Sequence, residues 1–258
     1  MGVDRMSRLR VTARVQLMKE IVDLISVLTE EAKLVWKENG LQINVVDGSH
    51  VALLSATIGD ACFETYEVEP VEIGLEIGKL REFLSVFGPS DLVELDYDGA
   101  IGAINVRVGA AHRRIRQIWD TNEPKMPQLS FDSRATIDAS KLSSALRLAK
   151  FVGELVDLSL DSNQMSVSVT VMPLRGGVES VNVRFDAGEL SELVAPNPTQ
   201  STYSLQYLDP LTRKLASGLT DSITLELQDA YPLKLTWNSN EGGASWVYFQ
   251  SPRVTNDP

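Results

Sequence analysis

The chain can be ordered around one segment, Val45-Val46-Asp47-Gly48-Ser49-His50-Val51-Ala52-Leu53, with Phe63-Glu64-Thr65-Tyr66 a little further on. The segment joins strand-like runs at 41–46 and 51–57, and a third run at 63–68 carries the two aromatic residues. Short runs rich in β-branched and aromatic residues, closed by turn-forming residues, read as strands.

Working outward, Leu17, Ile21, Leu24, Ile25 and Leu28 recur at helical spacing and predict an amphipathic helix over 16–29. Further strands are expected at 34–36 and 71–75, then a helix over 77–87 that Gly88-Pro89 stops. Strands follow at 92–97, 101–108 and 114–119, with Asp98-Gly99 as a hairpin signal between the first two. Residues 120–127 carry Pro124 and Pro127 and no periodicity, so they read as an extended connector. Beyond it the order repeats. A helix is predicted over 140–151, with Leu142, Leu146 and Ala149 on one side, then strands at 155–160, 165–171 and 178–185. A shorter helix follows at 207–216, then strands at 223–227, 233–237 and 245–249. Leu17 aligns with Leu142 and Leu80 with Leu208, so the chain reads as two copies of one α+β domain.

With 258 residues, 43% of them hydrophobic, there is enough material for one large domain or two ordinary ones. No signal-like start and no long uncharged apolar run is present, so neither secretion nor a membrane span is expected. A single cysteine, Cys62, excludes an internal disulfide framework and suits a reducing compartment. The net charge of −11 argues against a protein coated in positive charge, but leaves open where the 24 Lys and Arg collect. The helices hold a useful share: Lys19; Lys79 and Arg81; Lys141, Arg147 and Lys150; Arg213 and Lys214. Singly, each reads as a solvated helix residue. Jointly, on one surface, they form a basic patch that touches phosphates and leaves base edges unread. Such binding is weak, salt-sensitive and indifferent to sequence.

Catalytic patterns are missing. Two histidines and one cysteine offer no zinc spacing, and there is no phosphate-binding glycine loop, dinucleotide fingerprint or nucleophile elbow. No catalytic, metal or cofactor residue is therefore expected, and most carboxylates read as solvated.

The segment at 45–66 resembles the signature of the proliferating cell nuclear antigen family, the sliding clamps of archaea and eukaryotes: an apolar pair, Asp, a small residue, Ser-His-Val, a strand, then Phe-x-x-Tyr. Tyr231-Pro232-Leu233 and Tyr248-Phe249-Gln250-Ser251-Pro252-Arg253-Val254 resemble the family's closing segments. The resemblance implies a clamp domain at 1–119, an interdomain loop at 120–134 and a second clamp domain at 135–258. Three subunits would close a ring, helices lining the hole and sheets outside, around double-stranded DNA. A pocket for short partner peptides is implied at Val46, His50, Val51, Leu53, Met126, Pro127, Pro232, Ser251, Pro252 and Val254. Polymerase, ligase, nuclease and clamp loader would dock there. Ring closure would join edge strands near 110–118 and 178–185, through Arg113, Arg114, Arg116, Val181 and Val183. The location follows the source: nucleoid-associated in an archaeal cytoplasm, or nuclear in a eukaryote. A subunit of a heteromeric or checkpoint clamp, a non-DNA scaffold and a β-rich enzyme remain as alternatives.

Overall fold

Eight of the eleven residues of the first helix, α1 (Val15–Ile25), are buried, among them Leu17, Met18, Ile21, Leu24 and Ile25. Val15, Ile21, Val22 and Ile25 are β-branched and restricted in a helix, and Arg14 at its N-cap makes no side-chain cap. Packing, not propensity, therefore holds α1 in place. The computed structural model describes residues 8–119, 124–171, 177–240 and 243–253.

In chain order, β1 (Arg8–Arg14) and α1 are followed by β2 (Glu31–Lys37), β3 (Gly40–Val46), β4 (Ala52–Gly59), β5 (Thr65–Val68) and β6 (Val71–Glu76). Then come α2 (Ile77–Ser85), β7 (Leu92–Asp98), β8 (Ala103–Val108) and β9 (Ala111–Arg116). The same order returns as β10 (Ser133–Asp138), α3 (Ala139–Lys150), β11 (Leu155–Leu160), β12 (Gln164–Val171), β13 (Glu179–Asp186), β14 (Glu192–Val194) and β15 (Thr199–Ser204). It closes with α4 (Leu205–Lys214), β16 (Ser222–Leu227), β17 (Leu233–Asn238) and β18 (Ala244–Gln250).

Strand pairing repeats with the order. β1 lies between β5 and β7 as β10 lies between β14 and β16. β2 lies between β3 and β6 as β11 lies between β12 and β15. These pairings are antiparallel, and alternate residues of β2 and β3 are buried, as period-two patterning requires. The fold is α+β, and the repeat inferred from the helices extends to the sheets.

Contacts divide the chain into two units. One holds Met1–Gly48, Leu53–Met126 and Glu241–Trp246; the other holds Ser49–Ala52, Pro127–Asn240 and Val247–Pro258. In the first, α1 packs on α2; in the second, α3 packs on α4. Leu17, Leu80, Leu142 and Leu208 are all buried. Burying a side chain of this size stabilises by about 1.5–3 kcal/mol.

Element ends differ from expectation for physical reasons. The first helix stops at Ile25, because Val27 and Leu28 donate to the carbonyls of Leu24 and Ile25 in tighter turns. The second stops at Ser85, where the Lys19 ammonium caps the carbonyls of Ser85 (3.4 Å) and Phe87 (2.7 Å). The fourth starts earlier, at Leu205, because the Ser204 hydroxyl accepts from the Gln206 amide. It ends at Lys214 and widens into a turn where Gly218 takes φ 106°. The Asp98-Gly99 hairpin is longer than predicted: Asp98 pairs with Ala103, Gly102 takes φ 62°, and Ile101 is in the loop. The strand placed at 114–119 is β9, ending at Arg116, with Trp119 left 75% exposed.

Candidate functional site

The basic residues are on the helix pairs, and most are tied to neighbours. In the first unit Lys19 is spent on the carbonyls of Ser85 and Phe87, Lys79 pairs with Glu76, and Arg81 Nε donates to Asp23 Oδ1 at 2.7 Å. In the second, Lys141 is 3.4 Å from Glu189. Asp209 gathers the two helices: its carboxylate accepts from Arg213 Nε at 2.8 Å, Arg213 Nη2 at 2.6 Å and Lys150 Nζ at 3.1 Å. Arg147 is exposed on α3, and Lys214 is half-buried at the end of α4. The helices of the first unit carry Lys19, Lys79 and Arg81 against Glu20, Asp23 and Glu82, an equal number of each sign. Helices α3 and α4 carry Lys141, Arg147, Lys150, Arg213 and Lys214 against the single acid Asp209, which Lys150 and Arg213 contact.

Sequence reasoning missed the anchoring carboxylates. The spacing of four between Asp209 and Arg213 was a usable signal. Lys150 reaches Asp209 across 59 positions, which no local pattern shows. Buried Glu20 and Asp47 also depart from the reading of the carboxylates as solvated. Glu20 accepts a hydrogen bond from the Trp246 indole at 3.1 Å.

The residues assigned to a partner pocket fall into both units. Val46 and Leu53 face each other across β3 and β4, and Met126 belongs to the same unit. His50, Val51, Pro127, Pro232, Ser251 and Pro252 belong to the other, where the Ser251 amide donates to the Val51 carbonyl at 2.8 Å. Val254 lies outside the described residues. Two non-glycine residues have positive φ among the described residues: His50 at 56° and Ala230 at 48°. His50 is itself an assigned pocket residue, and Ala230 precedes Tyr231-Pro232. Left-handed backbone in such residues costs about 1–3 kcal/mol and gathers at binding sites. Tyr231 meets Phe131 edge-on at 5.4 Å, and the Lys234 ammonium lies 5.9 Å over the Phe131 ring. Gln250 is fully buried; it accepts from the Tyr248 hydroxyl and donates to the Ser204 carbonyl.

The strands assigned to ring closure are both sheet edges, β9 beyond β8 and β13 beyond β12. Arg113 does not project free from its edge: Nη1 donates to the Lys79 carbonyl and to Glu82, each at 2.9 Å. Arg114 donates to Asn105 at 3.0 Å, and Arg116 is exposed. Val181 and Val183 are half-buried, beside the exposed Glu179 and Asp186 of the same strand.

Burial pushes the Cys62 thiol up, which disfavours a thiolate at neutral pH. A concavity of about 550 Å³ over β1, β5, β7 and β8 is lined by Arg10, Thr12, Glu67, Glu94, Asp96 and Arg107. Its arginines are already paired, Arg10 with Asp96 at 3.2 Å and Arg107 with Glu94 at 4.0 Å. Among the described residues no three His, Cys, Asp or Glu stand together as a metal site. No helix among them is long and apolar enough to cross a membrane.

Residues 8–126 match the family "Proliferating cell nuclear antigen, N-terminal domain". A DNA polymerase sliding clamp of Methanosphaerula palustris is 26% identical over 243 residues, covering 93% of this chain and 96% of its own. That of Natronomonas pharaonis is 25% identical over 239 residues, covering 92% and 94%. The A. fulgidus proliferating cell nuclear antigen, solved with the C-terminal region of FEN-1 bound, superposes with a TM-score of 0.87 at 25% identity, covering 96% of this chain and 100% of that one. The Thermococcus kodakaraensis protein shares the fold at a TM-score of 0.84 and 18% identity. The signature at 45–66, the relatives and the shared fold agree: residues 8–126 match the proliferating cell nuclear antigen family, and the chain as a whole is similar to DNA sliding clamps.

Proposed function

We propose that this chain is a DNA polymerase processivity factor, three copies of which close a ring around duplex DNA. The observation that carries the reading is the α3–α4 pair, whose helices carry five Lys or Arg and one acid on a chain of net charge −11. A positive surface on the helices of a protein whose net charge is negative holds DNA by the backbone and lets it slide. Retention comes from the closed ring and needs few contacts. The family is non-enzymatic, and this chain acts by tethering, without catalysis.

The edge strands support self-association. β9 bears Arg114 and Arg116, and β13 bears Glu179 and Asp186 around Val181 and Val183. Phe151, after α3, is 83% exposed, an apolar surface that a second copy would cover. A head-to-tail contact between two different edges closes into a ring when its rotation allows. Partner enzymes bind by short peptides at His50, Val51, Pro232, Ser251 and Pro252. The strained His50 and Ala230 backbones and the Val51–Ser251 bond support this assignment. The A. fulgidus relative's complex with a FEN-1 C-terminal region supports a nuclease among the partners. In an archaeal cell the ring works in the cytoplasm on the nucleoid.

Light scattering tests the assembly and should return three times the chain mass. Loaded on a circular duplex, the protein should be retained, and linearising the circle should release it. A chain that stays monomeric and binds circular and linear DNA alike overturns the reading.

A further inference from the structure

We propose that Asp209 sets how weakly the α3–α4 surface holds a duplex, as a buried counter-charge that cancels one of the two cations it fastens. The inference rests on that surface facing DNA. Asp209 is 1% exposed, while Lys150 and Arg213 keep 37% and 53% of their side chains in solvent. The sequence shows two positive charges here; the structure leaves a net of one. Both cations keep unused N–H donors for a phosphate. A phosphate seated on them lies one cation's breadth from the carboxylate, about 6–7 Å, where like charges still repel.

Packing alone gives little reason for an acid at this position. A buried ion pair is weak evidence for stability, since an apolar residue of similar size often fills such a seam at no loss. The consequence of a carboxylate that an apolar residue lacks is felt at the surface above it. It holds two long side chains in place and lowers their pull on phosphate. A clamp that must slide gains from a grip that is positioned and tempered. In the other unit Asp23, half-buried on α1, pairs with Arg81 at 2.7 Å.

The test is a salt titration of the full chain on a labelled linear duplex. Asp209→Asn should tighten binding about 3- to 10-fold at low salt and steepen the log–log salt slope by about one, as one more counterion is released. Asp209→Leu gives the same reading if the asparagine variant does not fold, and Asp23→Asn should shift binding in the same direction. The Lys150→Gln, Arg213→Gln double variant should weaken binding and flatten the slope. If that double variant weakens binding but both folded Asp209 variants leave Kd and slope unchanged, Asp209 only joins two helices and the proposal is overturned. If the double variant also changes nothing, the surface does not face DNA, and both readings fall together.

Discussion

The pairs α1–α2 and α3–α4 occupy matching places in two copies of one domain, yet they present different surfaces. On α1 only Gln16, Lys19 and Asp23 escape burial. On α3 Ser140, Lys141, Ser144, Arg147, Leu148 and Lys150 remain outside. The first pair carries as many acids as bases, and the second carries five bases to one acid. Buried positions hold both copies to one fold, because Leu17 and Leu142, or Leu80 and Leu208, do the same work. Exposed positions are free of that constraint. The α3–α4 surface is therefore expected to dominate any contact with a polyanion.

The largest effect that can break this comparison is on DNA. Replacing Lys141, Arg147 and Lys150 together by Gln should weaken duplex binding roughly 10- to 100-fold at low salt and flatten the salt slope by about two. The matching set, Lys19, Lys79 and Arg81, should cost only a few-fold, since Glu20, Asp23 and Glu82 on the same helices already balance it. Equal losses in fluorescence anisotropy would erase the asymmetry.

The second effect sharpens the comparison by its sameness. Leu24 on α1 and Leu146 on α3 are both fully buried. Each Leu→Ala change should cost about 2–5 kcal/mol in urea unfolding, through lost transfer energy and a residual cavity. A large difference between them would mean the cores have diverged along with the surfaces.

How much of this was legible in the sequence follows from the same division. The helices were found because Leu17, Ile21 and Leu24, or Leu142 and Leu146, keep helical spacing toward a core. β15 went unseen, since Thr199-Gln-Ser-Thr-Tyr-Ser204 shows no apolar alternation. Thr199 and Ser201 point inward nonetheless, and the Thr199 hydroxyl meets that of Ser133 at 3.2 Å. A small polar residue satisfied by a distant partner is invisible to hydrophobic patterning. β14 is only three residues long and escaped for that reason. The basic residues were legible one by one, but their pairing was not. Arg81 with Asp23, and Arg113 with Glu82, depend on tertiary approach. The signature at 45–53 located His50 but said nothing of its left-handed backbone.

A third, smaller contrast lies at the helix starts. Asp138 caps α3, its Oδ1 accepting from the Ser140 amide at 2.8 Å, the Lys141 amide at 3.0 Å and the Ser140 hydroxyl at 2.5 Å. Arg14, at the same place before α1, caps nothing with its side chain. Asp138→Ala should cost about 1 kcal/mol by chemical denaturation, and Arg14→Ala less. The Ser140 hydroxyl and the Lys141 amide hold the Asp138 carboxyl below its ordinary 3.8. Its contribution is thus present above 3.8 and lost as pH falls through the lower folded value.

The smallest contrast is between two phenols, half-buried Tyr66 in the first unit and buried Tyr203 in the second. Tyr66 packs with Phe63 at 5.1 Å and Trp36 at 6.2 Å, and donates to the Lys37 carbonyl at 2.6 Å. Burial pushes it up to about 12 from an ordinary 10.0. Tyr203, fully buried in the other unit and donating to the Tyr231 carbonyl at 2.8 Å, is pushed up further. For an acid raised on folding, the neutral form is the one the native state prefers. The stabilisation is fully present below pH 10 and is lost as pH rises toward about 12 for Tyr66. Tyrosinate absorbance of the folded chain should therefore show Tyr66 ionising late and Tyr203 later still, with Tyr66→Phe deleting the earlier of the two steps. If both ionise at the ordinary 10.0, neither phenol is held neutral by its packing, and the likeness of the two interiors fails where the surfaces already differ.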